Sequence, residues 1–234
     1  GRLRPPDRPH QTAVSEQHEA LPCPLCGAAS HWLLDDRKRS YWQCEQCLMV
    51  HVPPRWQLTA ELEKAEYDRH ENHPDDPGYR RFLSRLAEPL LTRLPAAGSG
   101  LDFGCGPGPA LAMMLREHGH QVALHDLYYH PNPDALRQQW DFITATEVVE
   151  HLAAPREVLE QLWQCLKPGG WLGLMTKRVI SPEAFSRWHY KSDPTHISFF
   201  SEQSFRWLAA KWQAELELIG ADVALLRKPE LSAD

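Results

Sequence analysis

No stretch of this chain approaches the ~18 consecutive apolar residues of a membrane-spanning helix, so a helical membrane protein is not expected. Nor is there an excess of positive charge. Lys and Arg number 25 against 31 Asp and Glu, a formal net charge of −6, which leaves no global attraction to nucleic acid or to anionic membranes; only a local basic patch could supply one. The opening residues, Gly1 to Ala20, lack the apolar core of a signal peptide, which points to a cytoplasmic protein. Arg2, Arg4, Arg8 and the prolines among them read as a disordered arm over residues 1–20. Internal repeats are absent. What remains, 42% apolar and 24% charged over 234 residues, suffices for one full α/β domain plus a small module.

Cysteine is sparse, with six residues, but four of them fall into two Cys-x-x-Cys pairs, Cys23/Cys26 and Cys44/Cys47. In a reducing compartment such pairs bind metal rather than form disulfides. Each makes a tight knuckle presenting two thiolates, with Gly27 suited to the turn after the first, and together they complete a tetrahedral zinc site. All four positions being cysteine, no position stays open for catalysis, and the zinc is structural. Trp32-Leu33-Leu34 and Tyr41-Trp42 between the pairs predict a short hairpin too small for a core of its own. Residues 21–52 are thus a zinc ribbon. Pro53-Pro54 opens a linker over 53–78 that is partly helical, and Tyr79, Phe82, Leu83, Leu86, Leu90 and Leu94 recur at helical spacing.

Glycine concentrates in Leu101-Asp102-Phe103-Gly104-Cys105-Gly106-Pro107-Gly108, an apolar run broken by three alternate glycines and followed by a helical segment. That order is strand, tight turn, helix, which lets backbone lie against a nucleotide-like ligand. The third glycine of the dinucleotide fingerprint is missing, since Pro109 stands there. Gln121–Asp126 reads as the next parallel strand, with Asp126 at its tip where an acid meets ribose hydroxyls. Further along come Asp141–Ala145 as a strand, Thr146-Glu147-Val148-Val149-Glu150-His151-Leu152, a helix from Pro155 to about Leu166, Lys167-Pro168-Gly169-Gly170 turning into a strand Trp171–Met175, a helix Glu202–Lys211, and a hairpin of Glu215–Ile219 and Val223–Arg227 joined at Gly220.

This succession resembles the class I S-adenosylmethionine-dependent methyltransferases over residues 79–230, the motif LDFGCGPG almost letter for letter. The resemblance implies a Rossmann-like, mostly parallel sheet with an antiparallel C-terminal hairpin, placing the methyltransferase domain at 79–234 behind the ribbon. It implies S-adenosylmethionine as cofactor, held by Asp102, Gly104, Cys105, Gly106, Gly108, Asp126 and Thr146. Tyr67 and Arg80 would cover the cofactor's methionine end, Arg80 being suited to a carboxylate; a plain surface role fits both equally. One departure from the family is visible. Residues 127–140 are too few for the usual helix, third strand and helix, so the acid that reads adenine has no counterpart, and Tyr128 and Tyr129 are left as stacking surface.

Residues just after the fourth and fifth strands face the reaction. Glu147, Glu150 and His151, spaced i, i+3, i+4, share one face of a helical turn. With His196 they resemble the Glu-x-x-Glu-His plus later His pattern of two metal-dependent groups, the ubiquinone-pathway O-methyltransferases and the small-RNA 3′-end methyltransferases, which implies magnesium or manganese. Two other readings stand beside it: His151 or His196 as a metal-free base, and Glu147 with His151 as mere loop order. Trp188-His189-Tyr190 lie in a loop over the acceptor, with Trp188 equally suited to the core. The expected activity is methyl transfer to a small hydroxylated or carbon acceptor. An RNA methyltransferase using its ribbon for recognition, and a non-catalytic cofactor-binding scaffold, are the alternatives; the oligomeric state is open.

Overall fold

The computed structural model describes residues 18–70 and 73–231. Most of the expected arm, residues 1–17, lies outside them. At its end His18 stacks on Trp32 at 4.5 Å between ring centroids, and the Glu19 carbonyl accepts from Trp42 Nε1 at 3.3 Å.

Two sheets organise the chain. The first comprises β1 (Leu21–Pro22), β2 (Ala29–Asp35), β3 (Ser40–Cys44), β4 (Val50–His51) and, from far along the sequence, β9 (Ser198–Phe199), in the order β1-β2-β3-β4-β9. The predicted hairpin is β2–β3. Its turn is built on Asp36, whose Oδ1 accepts from the backbone N–H groups of Lys38 and Arg39 at 2.8 and 2.9 Å and whose Oδ2 accepts from the Tyr41 hydroxyl at 2.7 Å. Burial raises the Asp36 carboxyl, but these donors and the charge of Lys191 outweigh it and bring the pKa down to about 2. A folded pKa below the unfolded value of 3.8 contributes stability that is full above that pH and is lost as pH falls through about 2. Asp36→Asn should therefore be less stable than wild type at neutral pH, with the gap closing between about pH 4 and 2, as denaturant titrations at each pH would show.

The second sheet has the order β10-β11-β8-β7-β5-β6. Its members are β5 (Ser99–Phe103), β6 (Gln121–His125), β7 (Trp140–Thr146), β8 (Leu166–Met175), β10 (Glu215–Ile219) and β11 (Val223–Arg227). β5 to β8 run parallel and the β10–β11 hairpin antiparallel, as expected of this α/β fold. Alternate residues face opposite sides, as the two-residue period of a strand demands. Phe142, Trp171, Met175, Val223 and Leu225 pack on α2 (Pro77–Leu91) and α3 (Ala110–Glu117). On the other face Ile143, Ala145, Leu172, Leu174, Ala224 and Leu226 pack on α4 (Pro155–Gln164) and α6 (Glu202–Trp212). That second core also includes Cys23, Leu25, Cys44, Cys47 and Met49. The remaining helices, α1 (Ala60–Asp68) and α5 (Pro182–Ser186), lie in the connections.

The strand expected at Trp171–Met175 begins earlier, at Leu166. The pairing runs Trp140↔Leu166 and then Phe142↔Trp171, so Lys167–Gly170 bulge out of the strand instead of preceding it, with Gly169 at φ +79°. The bulge is stitched to the end of β11 by Gly169 N to Lys228 O (3.0 Å) and Lys228 N to Gly170 O (2.8 Å). Between Asp126 and β7 there is only a 3-10 turn, Pro133–Arg137, so no third strand is inserted beside β6. No helix among the described residues is long and apolar enough to cross a membrane.

Candidate active site

The carboxyl ends of β5, β6, β7 and β8 define one edge of the sheet, and most of the residues predicted to meet cofactor and acceptor, though not Arg80, gather there. The glycine loop leaves β5 with Gly104 at φ +69° and Gly106 at φ +70°, conformations that side-chain-bearing residues rarely adopt. A Cβ on Gly104 would lie 2.5 Å from Val148 Cγ2, so only glycine lets this loop close on the chain after β7. A Cβ on Gly106 would meet nothing within 4 Å, which leaves a bare backbone surface open to a ligand. Gly108 accepts from Ala110 N at 2.8 Å and leads into α3. The Cys105 thiol, pushed up to about 12 by burial, stays neutral.

Asp126 follows β6 and holds this loop. Its Oδ2 accepts from Gly106 N at 2.9 Å, and its Oδ1 from Tyr128 N and Tyr129 N at 2.9 and 3.1 Å. Asp102, 2% exposed, accepts from Thr144 Oγ1 at 3.0 Å, and burial raises its pKa to about 7. Over the same edge lies α1. Its Tyr67 ring stands 5.2 Å from the His151 ring and 6.0 Å from Tyr128, and its Asp68 accepts from the Tyr129 hydroxyl at 2.6 Å. Arg80 is placed elsewhere. Its guanidinium grips both oxygens of Glu117 at 2.8 and 2.6 Å, at the end of α3 remote from the glycine loop.

After Thr146, Glu147 takes φ +55° while its N–H bonds Met175 O at 2.7 Å, and this kink throws the chain out of β7 into a 3-10 turn, Val149–His151. Glu147 is thus outside the helical turn that its spacing suggested, and it does not join the cluster. Three potential ligand atoms, from Glu150, His151 and His196, lie within 4.8 Å of one another. The ring of His151 bonds Thr195 O through Nδ1 at 3.1 Å, and that of His196 bonds Tyr190 O through Nδ1 at 2.7 Å. A carbonyl accepts only, so both Nδ1 atoms carry the proton and both Nε2 atoms keep a lone pair, that of His196 lying 3.5 Å from Asp193 Oδ2. Burial, reinforced by the neighbouring imidazole, lowers His151 to about 3, and burial lowers His196 as well, so both rings are neutral at pH 7.

The sequence offered no reason to single out Tyr190 beyond its place in the loop, yet its hydroxyl sits between the two acids. It is 2.8 Å from Glu147 Oε2, bonds Glu150 Oε2, and lies 3.3 Å from Thr176 Oγ1. One hydroxyl has one proton to give. Glu150 is 0% exposed and held well above the usual carboxylate range by burial and by the charge of Glu147. Oε1 of Glu147 and Oε1 of Glu150 are buried with no hydrogen-bond partner among the described residues. A buried acid with a second carboxylate beside it needs a shared proton or a cation.

At the ribbon, Cys23 Sγ and Cys47 Sγ are 3.6 Å apart and Cys26 Sγ and Cys44 Sγ 3.3 Å, and the four sulfurs lie within 4.8 Å of one another. Thiolates ~2.3 Å from one tetrahedral zinc stand ~3.8 Å apart, so the spacing fits that ion. Leu25 N–H points at Cys23 Sγ, and the Gln46 and Cys47 N–H groups at Cys44 Sγ, all at 3.4 Å, as expected of knuckles shaped for thiolates.

Comparison with known proteins identifies the family. The family described as "Methyltransferase domain" matches residues 55–219. A malonyl-[acyl-carrier protein] O-methyltransferase of Enterobacter lignolyticus (strain SCF1) is 28% identical over 144 residues, 52% of this chain and 57% of that protein. A ubiquinone biosynthesis O-methyltransferase of Ruegeria pomeroyi is 38% identical over 88 residues, 36% of this chain and 34% of that protein. The chain thus spans between about a third and little more than half of these curated relatives. A solved S-adenosylmethionine-dependent methyltransferase from Archaeoglobus fulgidus superposes with a TM-score of 0.51 at 14% identity, covering 73% of this chain and 100% of that one. With the family match spanning most of its length, the chain belongs to the methyltransferase-domain family, the S-adenosylmethionine-dependent methyltransferases.

Proposed function

We propose that the protein methylates a hydroxyl of a small acceptor from S-adenosylmethionine, with a divalent cation at Glu150, His151 and His196 and a structural zinc in the ribbon. The convergence of those three side chains, both histidines fixed by their Nδ1 bonds, carries this reading. A backbone carbonyl behind each imidazole is the usual support of a histidine ligand. Two imidazoles and one carboxylate suit manganese better than magnesium, which prefers an all-oxygen shell. A cation held by Glu150, His151 and His196 would lower the pKa of a hydroxyl bound beside them. The unpartnered Glu147 Oε1 is the chain's own proton acceptor, and the Tyr190 hydroxyl holds Glu147 in reach of Glu150. The acceptor oxygen takes the methyl carbon as its bond to sulfur breaks, so the chain's work is alignment.

On the cofactor side, the open face of Gly106 and the loop Gly104–Gly108 would lie along the cofactor, with Asp126 on its ribose and Tyr67 with Thr146 over its methionine end. Leu127, 73% exposed, and Tyr128 at the uncovered side of β6 are the surface left for adenine. Asp102 and Cys105 would shape the loop from beneath. Arg80, already paired with Glu117, is left with a structural role in this reading.

Calorimetric titration of manganese into zinc-loaded protein tests the proposal. One further site is expected, lost in Glu150→Ala while S-adenosylhomocysteine still binds. Absence of that site in the wild type would sink the metal reading and leave His151 or His196 as a base for a carbon or hydroxyl acceptor. An RNA gel shift that weakens with salt would favour the RNA alternative instead.

A further inference from the structure

Arg39 belongs to the ribbon hairpin, is 6% exposed, and has no part in the cysteine cluster. Its Nε donates to the Tyr41 hydroxyl at 3.1 Å. Nη1 donates to Pro194 O at 3.1 Å, and Nη2 to Lys191 O at 2.9 Å and Asp193 O at 3.2 Å. A guanidinium presents its donors in a rigid planar fork, so these three carbonyls are held in one orientation. Their neighbours have different partners. Tyr190 O fixes the His196 ring and Thr195 O fixes the His151 ring. From Tyr190 to Thr195, every carbonyl except that of Ser192 is therefore engaged, by Arg39 or by an imidazole of the cluster. The strap continues through Ile197, whose carbonyl accepts from Val52 N at 2.9 Å and whose N–H bonds Glu150 O at 2.8 Å.

We infer that Arg39 is a positioning residue for the acceptor side of the site. It sets the tautomer and direction of two imidazoles that it does not touch, and it makes the ribbon a working part of the catalytic loop instead of an appended docking module. The inference rests on the proposed reading of this loop as the acceptor side, but its test reads ring protonation and exchange rates and so does not depend on the acceptor or on a second metal.

The experiment compares the zinc-loaded 234-residue chain as wild type, Arg39→Met and Arg39→Lys. In wild type, nitrogen-15 spectra should show His151 and His196, assigned by single His→Gln variants, as pure Nδ1-protonated tautomers. Arg39→Met keeps the aliphatic stem and loses the donors; both rings should become tautomer mixtures, with the amides of residues 195–197 exchanging about tenfold faster or more. Exchange in α3 and affinity for S-adenosylhomocysteine should stay within about twofold of wild type, since only local order is lost. Arg39→Lys should restore part of both signals. Unchanged tautomers in Arg39→Met would overturn the inference. So would a uniform rise in exchange with loss of S-adenosylhomocysteine binding, which would mark a general packing role. Should Arg39→Met not fold, Arg39→Gln, which keeps a polar donor but cannot span the three carbonyls, should loosen the same rings, and locked rings there would overturn the inference equally.

Discussion

Removing the metal from Cys23, Cys26, Cys44 and Cys47, by chelation or by Cys44→Ser, is expected to lower the melting temperature of the whole chain by roughly 10 °C or more. Zinc contributes ~10–16 kcal/mol to the folding of isolated finger peptides at neutral pH. Here the ribbon is also part of the main core, because Cys23, Leu25, Cys44, Cys47 and Met49 pack among the residues of α4 and α6. The Cys47 carbonyl accepts from Ser201 Oγ at 2.8 Å and Ser204 Oγ at 3.0 Å, the two side chains that form the capping box of α6. The Leu25 carbonyl accepts from Arg156 of α4 at 3.2 Å. Loss of the knuckles would strip both helices of these partners. Calorimetry with metal content measured on the same samples checks this. A chelated protein that melts with the wild type would mean that the four thiols hold no structural ion.

Asp126→Ala should weaken S-adenosylhomocysteine binding by at least about a hundredfold. The Asp126 carboxylate receives three backbone N–H groups, from Gly106, Tyr128 and Tyr129, and so sets the shape of both segments proposed to line the cofactor. A hydrogen bond to a charged group contributes ~1.5–3 kcal/mol, and 1.4 kcal/mol is tenfold in affinity. The loss of loop order together with the ribose contact therefore exceeds two such steps. Asp126→Asn, which keeps one acceptor oxygen, should fall between. Titration calorimetry at a single pH resolves the series, and near-wild-type affinity in Asp126→Ala would remove this residue from the cofactor site.

The glycine turn, the cysteine knuckles, the hairpin at Gly220 and the missing strand between Asp126 and β7 were all legible in the chain. Each depends on residues a few positions apart: a φ near +70° at Gly104 and Gly106, φ +56° at Gly220, or too few residues for another strand and its helices. At Lys167–Gly170 the residues alone predict a turn before the strand; glycine permits either, and only the pairing with β7 and Lys228 makes it a bulge. The spacing of Glu147 predicts a helical face; the hydrogen bond from its N–H to Met175 and its left-handed φ take it off that face.

Charge and residue type identified Arg80, Glu150, His151 and His196 as candidates, but not their partners. Arg80 could have met a cofactor carboxylate; the packing of α2 on α3 gave it Glu117. Tyr190 and Arg39 carried no local signal, because their contacts reach residues 40 to 155 positions away. Those contacts exist because β9 leaves the methyltransferase half to complete the ribbon sheet. By itself, then, the sequence determined the family, the strands of the larger sheet, the β2–β3 hairpin and the candidate ligand residues, since backbone conformation and ligand chemistry are properties of short segments, whereas β1, β4 and β9 carried no signal of their own. Which acid faces the imidazoles, and what holds those rings, was decided only by tertiary structure, because a side chain's hydrogen-bond partner is set by whichever distant segment the burial of apolar surface brings against it.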